Sequence, residues 1–279
     1  MPTDYAQLKQ VAATLQRDEP GMAFPIAQCY AKGFDCGTEF TNLLASLGGR
    51  FFQSGTALPA FNSAVGVQAI ALMRSLMPHM TPNALASNAD DVVNQFQQGK
   101  AALGVLWASR AARMDDAAAS RVVGKMQFAA APAARRGGVS AAHLWWDAAV
   151  LPRNNPRRRE ATFQVLMEGL SEAAVKSGND LGIWVRSVYQ PGRFGVGVAV
   201  AQQAGAPVWP GEPFFGLAHG EVGKLLPEAL AGERAPQAVL DAAAAAYLRA
   251  ATSKGFVAAG VRTGAGAGAR APAGAEART

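Results

Sequence analysis

Three histidines, His79, His143 and His219, are the imidazoles of this 279-residue chain, and they lie far apart in it. None stands in H-E-x-x-H, and neither G-x-S-x-G nor G-x-x-x-x-G-K-[ST] occurs. Each histidine therefore reads as a surface or capping residue rather than as a catalyst or metal ligand. Asp90-Asp91 and Asp115-Asp116 are neighbours in sequence, which point apart on a helix. They suit helix N-terminal charges better than an acid/base pair. Gly195-Val196-Gly197 lacks the third glycine of a dinucleotide loop. Cys29 and Cys36, separated by six residues with no histidine cluster nearby, make a poor zinc site. They read equally as two buried thiols or, in an oxidising compartment, as a disulfide worth roughly 2.5 kcal/mol. The chain thus calls for no catalytic set, no metal and no cofactor.

What remains is aromatic: five Trp, thirteen Phe and four Tyr. An indole covers the C–H face of a hydroxylated molecule, while Arg, Asp, Asn and Gln bond its hydroxyl rim. Trp107 stands out through its setting. Asn88 is a good N-cap for an amphipathic helix carrying Val92, Val93 and Phe96, and Gly99 can take the left-handed conformation that stops it. Lys100 then sits at the negative end of that helix. Residues 101–106 are nearly all apolar, as in a strand covered on both faces. Ligands of open α/β sheets meet the carboxyl ends of strands, so Trp107 is placed where a solute is met. A core tryptophan ending a buried strand is the plainer alternative. Trp184 and Trp209 read as core residues.

The elements that must position these residues follow from periodicity and punctuation. Thr3 or Asp4 caps a first helix, with Gln7 three beyond Asp4, and Tyr5, Leu8, Ala12 and Leu15 repeat on one face until Pro20-Gly21. Residues 23–27 make a short strand. A second helix carries Phe40, Leu43, Leu44 and Leu47, and a third starts at Asn62-Ser63 and is halted by Pro78. Residues 126–131 and 143–150 are strand-like. A helix over 155–170 has Asn155 as cap, Pro156 in its first turn, and Phe163, Leu166, Met167 and Leu170 as its buried face. Two further helices span 214–230 and 237–252, and the Gly/Ala-rich tail 259–279 is expected to be disordered.

Half the residues are hydrophobic, enough for a sizeable core, and no run of 18 apolar residues occurs to span a membrane. The net charge of +6 raises a nucleic acid or anionic surface as a partner. However, the one basic cluster, Arg153 with Arg157, Arg158 and Arg159, has no interleaved aromatic residue and reads as a solvated helix face. No nucleic acid is expected. The N-terminus enters a helix at once, with no export signal.

Phe96-x-x-Gly99-Lys100-x-Ala102, leading to Trp107, resembles family 1 of the extracellular solute-binding proteins of ABC importers, which take sugars and polyols. Leu103 stands where the family usually has Met. Other segments match in the family's order: residues 2–8, Glu39-Phe40, Leu47-Gly48-Gly49, Pro59-x-Phe61-Asn62-Ser63, Gly66-Val67-Gln68-Ala69, Ser120 to Lys125 leading to Pro132, and Arg186-Ser187-Val188-Tyr189. The resemblance covers residues 2 to about 257. Where the family has Gly-Gly-Trp facing the cleft, this chain has Leu144-Trp145-Trp146, so Trp146 takes the ligand-facing position by alignment.

The resemblance implies a type II periplasmic-binding-protein-like, three-layer α/β/α fold. It also implies two lobes that close on solute, a carbohydrate or polyol ligand and delivery to membrane permease subunits. Its location would be periplasmic or anchored outside the cytoplasm. Trp107, Trp146 and Arg186 are the expected solute contacts, with Trp145 and Tyr189 as further candidates. Arg186 reads equally as half of a structural ion pair. Family members carry a leader and most of the N-terminal lobe ahead of the Pro-Thr helix. On that alignment residues 1–131 and 185–258 form a nearly complete C-terminal lobe, and 132–184 a piece of an incomplete N-terminal lobe. A truncated remnant that binds nothing, and a basic nucleic-acid binder, are the alternatives.

Overall fold

Asp4 opens the first helix as its spacing predicts. Its carboxylate accepts from the Gln7 amide at 2.9 Å, while the Gln7 side chain accepts from Thr3 N at 3.1 Å. The Gln7 N–H, which helix formation would orphan, is satisfied by the N-cap carboxylate, and the Gln7 side chain also donates to Asp4 at 3.1 Å. The structure is a computed structural model describing residues 1–154, 158–258 and Gly260. The described elements run α1 (Tyr5–Asp18), β1 (Ile26–Ala27), α2 (Phe34–Ser46), α3 (Ala64–Leu76), α4 (Ala89–Gln97), β2 (Leu103–Gly104), α5 (Arg159–Gly169), α6 (Glu172–Ser177), α7 (Val196–Gln203), α8 (Phe215–Leu230) and α9 (Pro236–Ser253).

β1 and β2 pair in parallel, Ile26 with Leu103 and Ala27 with Gly104. The backbones approach closely here: a Cβ on Gly104 would lie 2.1 Å from the Ala27 carbonyl oxygen. Side chains of a strand alternate between faces, which makes this short ladder the middle of three layers. Ile26 enters the main core with Tyr5, Phe40, Ile70, Leu226 and Tyr247, drawn from α1, α2, α3, α8 and α9. Ala27 enters a second cluster with Val92, Val93 and Phe96 of α4, together with Cys29 and Met114.

Local signals placed the helices well. Ser63 caps α3, accepting from Gly66 N, and α3 gives way to a 3-10 turn at Met77, one residue before Pro78. Asn88 and Asp91 form a full capping box on α4, whose end is marked by Gly99 at φ +68. The strands are shorter than expected. Residues 23–27 and 101–106 shrink to two paired residues each, and 126–131 forms no strand, because backbone ladders need a partner that sequence pattern cannot supply.

The expected helix over 155–170 needs correction. α5 starts at Arg159, behind Arg158 at φ +63; the Asn155 cap and Pro156 lie outside the described residues. No residue of α5 is buried: Phe163 is 49% exposed and Met167 47%. The apolar stripe Phe163, Leu166, Met167, Leu170 is present, but among the described residues only Leu166 is half-buried and the rest stays exposed. Of the expected tail 259–279, all but Gly260 lies outside the described residues. Cys29 and Cys36 are free buried thiols that belong to different clusters, Cys36 to the main core and Cys29 to the second.

Candidate functional site

Three indoles from three separated stretches of chain converge on Phe34. Gly33 holds φ +99 and starts α2, so Phe34 leaves the surface at the first helical position and stays half exposed. Trp107 arrives from beyond the carboxyl end of β2, just before a 3-10 helix (Ala108–Asp115), and its ring centroid lies 6.0 Å from that of Phe34. Leu144 pairs with residues 207–209: its N–H donates to the Pro207 carbonyl at 2.7 Å, and Trp209 N–H donates to the Leu144 carbonyl at 3.0 Å. That pairing brings Trp145 onto Trp209, with centroids 4.4 Å apart, and both rings near Phe34, at 6.1 and 6.5 Å. Below them Trp209 meets Phe215 and His219 at 5.2 and 5.5 Å, which ties the surface to the main core.

Charged and polar groups edge these rings. The Arg110 guanidinium lies over Trp107, 6.0 Å from its centroid, and is held by Asp90 at 2.6 Å, a carboxylate shared with Arg113. Asp35 is half-buried beside Phe34; burial raises its pKa, Arg110 opposes this, and Asp90 and Asp91 add to it. Trp145 Nε1 donates to Asp147 at 2.9 Å. His219 is buried, not the surface residue expected, and its Nε2 lies 3.3 Å from the Thr38 hydroxyl. Burial pushes both His219 and the half-buried His143 down to about 4, so each is a neutral ring near neutral pH. Among the described residues, no group of three or more His, Cys, Asp or Glu could hold a metal ion. The surface offers aromatic faces bordered by carboxylates and a guanidinium, a combination suited to holding a solute.

A separate cavity of about 590 Å³ lies between residues 49–57 and 207–214, walled by Phe51, Phe52, Phe214 and Phe256 with Arg50 and Glu212. His143 is common to both places, since it lines the cavity and meets the Trp209 ring at 5.5 Å. The cavity walls carry no indole, and none of the expected contacts lines it.

A family profile of bacterial extracellular solute-binding proteins matches residues 2–162, more than half of the chain. The chain belongs to that family. Solved structures agree on the fold. An ABC transporter solute-binding protein from Agrobacterium radiobacter K84, in complex with ribitol, superposes with a TM-score of 0.73 at 20% identity, covering 90% of this chain and 65% of that one. Maltose-bound MalE3 of T. maritima gives 0.72 at 15% identity, with 90% and 66% covered. An ABC transporter solute-binding protein from Agrobacterium vitis S4 with bound D-mannitol gives 0.66 at 17% identity. The fold is therefore that of type II periplasmic binding proteins, and this chain spans about two thirds of the length of these relatives. A search of the curated proteins finds no match. No helix among the described residues is long and apolar enough to cross a membrane.

Of the residues expected to meet solute in this family member, the structure gathers Trp107 and Trp145. Trp146 is 66% exposed and makes no aromatic pair among the described residues. Arg186 is exposed in a turn where its carbonyl accepts from Tyr189 N at 3.0 Å, and no described carboxylate pairs with it. Tyr189 is half-buried with its hydroxyl against Gly195, and its pKa is raised by burial and by Asp180. These two belong to a loop tied to Asn179, which brackets Gln190. Trp184 packs on its own segment, donating to the Gly178 carbonyl at 2.9 Å. Trp209, expected in the core, is only half-buried and joins the site. Phe34 escaped notice. Its one signal is an aromatic residue directly after a glycine at a helix start, off the stripe of buried residues that follows.

Proposed function

We propose that the surface around Phe34, Trp107, Trp145 and Trp209 is one wall of a cleft for a carbohydrate or polyol. The chain then serves as the substrate-binding component of an ABC importer, delivering solute to permease subunits outside the cytoplasm and catalysing no reaction. The observation that carries this is the convergence of four partly exposed rings from four distant stretches on one surface. Packing alone would bury such rings, whereas a sugar's C–H face needs them open. Asp35, Arg110 and Asp147 stand ready for hydroxyl groups. The relatives with ribitol, D-mannitol and maltose support this solute class.

In this reading residues 1–131 and 185–258 form the C-terminal lobe and 132–184 belong to the opposite lobe. Trp146 and Arg186, both exposed, are further contacts, with Tyr189 supporting Arg186. Tryptophan emission titrated with a panel of pentitols, hexitols, monosaccharides and maltooligosaccharides tests the proposal. A saturable change that is lost in both W107A and W145A is expected. A flat response to the whole panel refutes it.

A further inference from the structure

We propose that Pro227 is a positioning residue for the aromatic surface, acting through the Gly223 carbonyl and Gly33 on Phe34. Its consequence for solute affinity rests on the function proposed above; the joint itself does not. Pro227 lies inside α8, where an ordinary residue would donate its N–H to the carbonyl four residues earlier, that of Gly223. Proline has no such N–H, and its ring crowds that carbonyl. Gly223 is buried, and a buried carbonyl needs a donor. The donor is Gly33 N–H, at 3.0 Å.

Each feature around this bond permits it. A Cβ on Gly223 would lie 1.9 Å from the Gly33 oxygen, so only glycine lets the two backbones meet. Gly33 adopts φ +99, a conformation glycine takes freely, and its carbonyl accepts from Gly37 N at 3.0 Å to begin α2. One turn back along α8, His219 faces Gly37, where a Cβ would stand 3.0 Å from the imidazole Nε2. The two contacts are four residues apart on both helices, which fixes the start of α2 on α8 in position and rotation. Phe34 follows Gly33 directly, and its ring rests 5.2 Å from that of His219. The missing amide of Pro227 thereby fixes the residue around which the indoles gather.

The test is P227A, read by amide exchange at Gly33 and by near-ultraviolet circular dichroism of the tryptophans. The new amide at 227 competes for the Gly223 carbonyl and removes an unfavourable helix residue, so the melting temperature should hold or rise. Gly33 exchange should nevertheless accelerate roughly tenfold, the tryptophan bands should weaken, and affinity for any sugar that binds the parent should fall roughly fivefold. A merely structural proline would show none of this at unchanged stability. G223A keeps the proline but drives a methyl group into Gly33; it should speed Gly33 exchange and weaken the tryptophan bands at a lowered melting temperature, and serves if P227A does not fold. Parental Gly33 exchange and tryptophan bands in a folded variant overturn the proposal, whatever happens to affinity. Altered exchange in a protein that binds no sugar upholds the joint and counts only against the solute reading.

Discussion

Glu39 lies on the inward face of α2, 6% exposed, among Tyr5, Tyr30 and the two cysteines. Burial pushes its pKa up to about 8, and Asp35, one helical turn away with the same charge, adds to the shift. The neutral acid is thus the form the fold accepts. The folded pKa exceeds the unfolded value of 4.5, so the associated stability is fully present below pH 4.5 and disappears as pH rises to about 8. At about 1.4 kcal/mol per pKa unit, the total loss is on the order of 5 kcal/mol, with about half of it falling between pH 5 and 7. Other groups titrate in the same range. His143 and His219, held down to about 4, contribute stability above pH 6.5 that is lost as pH falls toward 4. Comparison with E39Q isolates the carboxyl, because glutamine keeps the shape and removes the ionisation. Urea unfolding of both proteins at pH 5, 6, 7 and 8 should show the wild type losing ground to E39Q by about 2.5 kcal/mol from pH 5 to 7. A stability difference that stays constant across those pH values refutes the argument that Glu39 is buried as an acid.

Three other outcomes follow from the same structure. N88A removes both capping bonds to Asp90 N and Asp91 N; it should cost about 1 kcal/mol in urea unfolding, with α4 amides exchanging faster. G104A places a methyl group 2.1 Å from the Ala27 carbonyl oxygen. It should part β1 from β2 and lower stability by about 3 kcal/mol, whereas G21A, where a Cβ meets nothing within 4 Å, should shift the midpoint little. The double variant F163S/M167S strips two half-exposed residues from the uncovered stripe of α5. Stability should change by less than about 0.5 kcal/mol while self-association, followed by sedimentation at increasing concentration, declines.

The chain's short-range signals decided the ends of its helices. Asp4 with Gln7, Ser63, Asn88 with Asp91 and Gly99 each act within a few residues, so their chemistry is complete in the sequence and reappears in the structure. The ordered glycines and aromatics from residue 2 onward likewise carried the family and its fold. Sequence placed Trp107 directly at the end of a strand over 101–106; it stands three residues beyond the two-residue β2, on the side of the sheet's carboxyl end. What it left open was everything that depends on a distant partner. Residues 101–106 had the composition of a long strand, yet only Leu103 and Gly104 meet β1. Phe163, Leu166, Met167 and Leu170 had helical spacing, but spacing cannot provide a surface to pack against. Which of two adjacent indoles turns toward Phe34 depends on the phase set when Leu144 pairs with residues 207–209, more than sixty positions away. Phe34 became the centre through Gly33 meeting Gly223 across 190 residues, an approach that two missing side chains and one missing amide make possible together. Caps and periodicity are properties of a few neighbouring residues; a binding surface is a property of segments that only folding brings into contact.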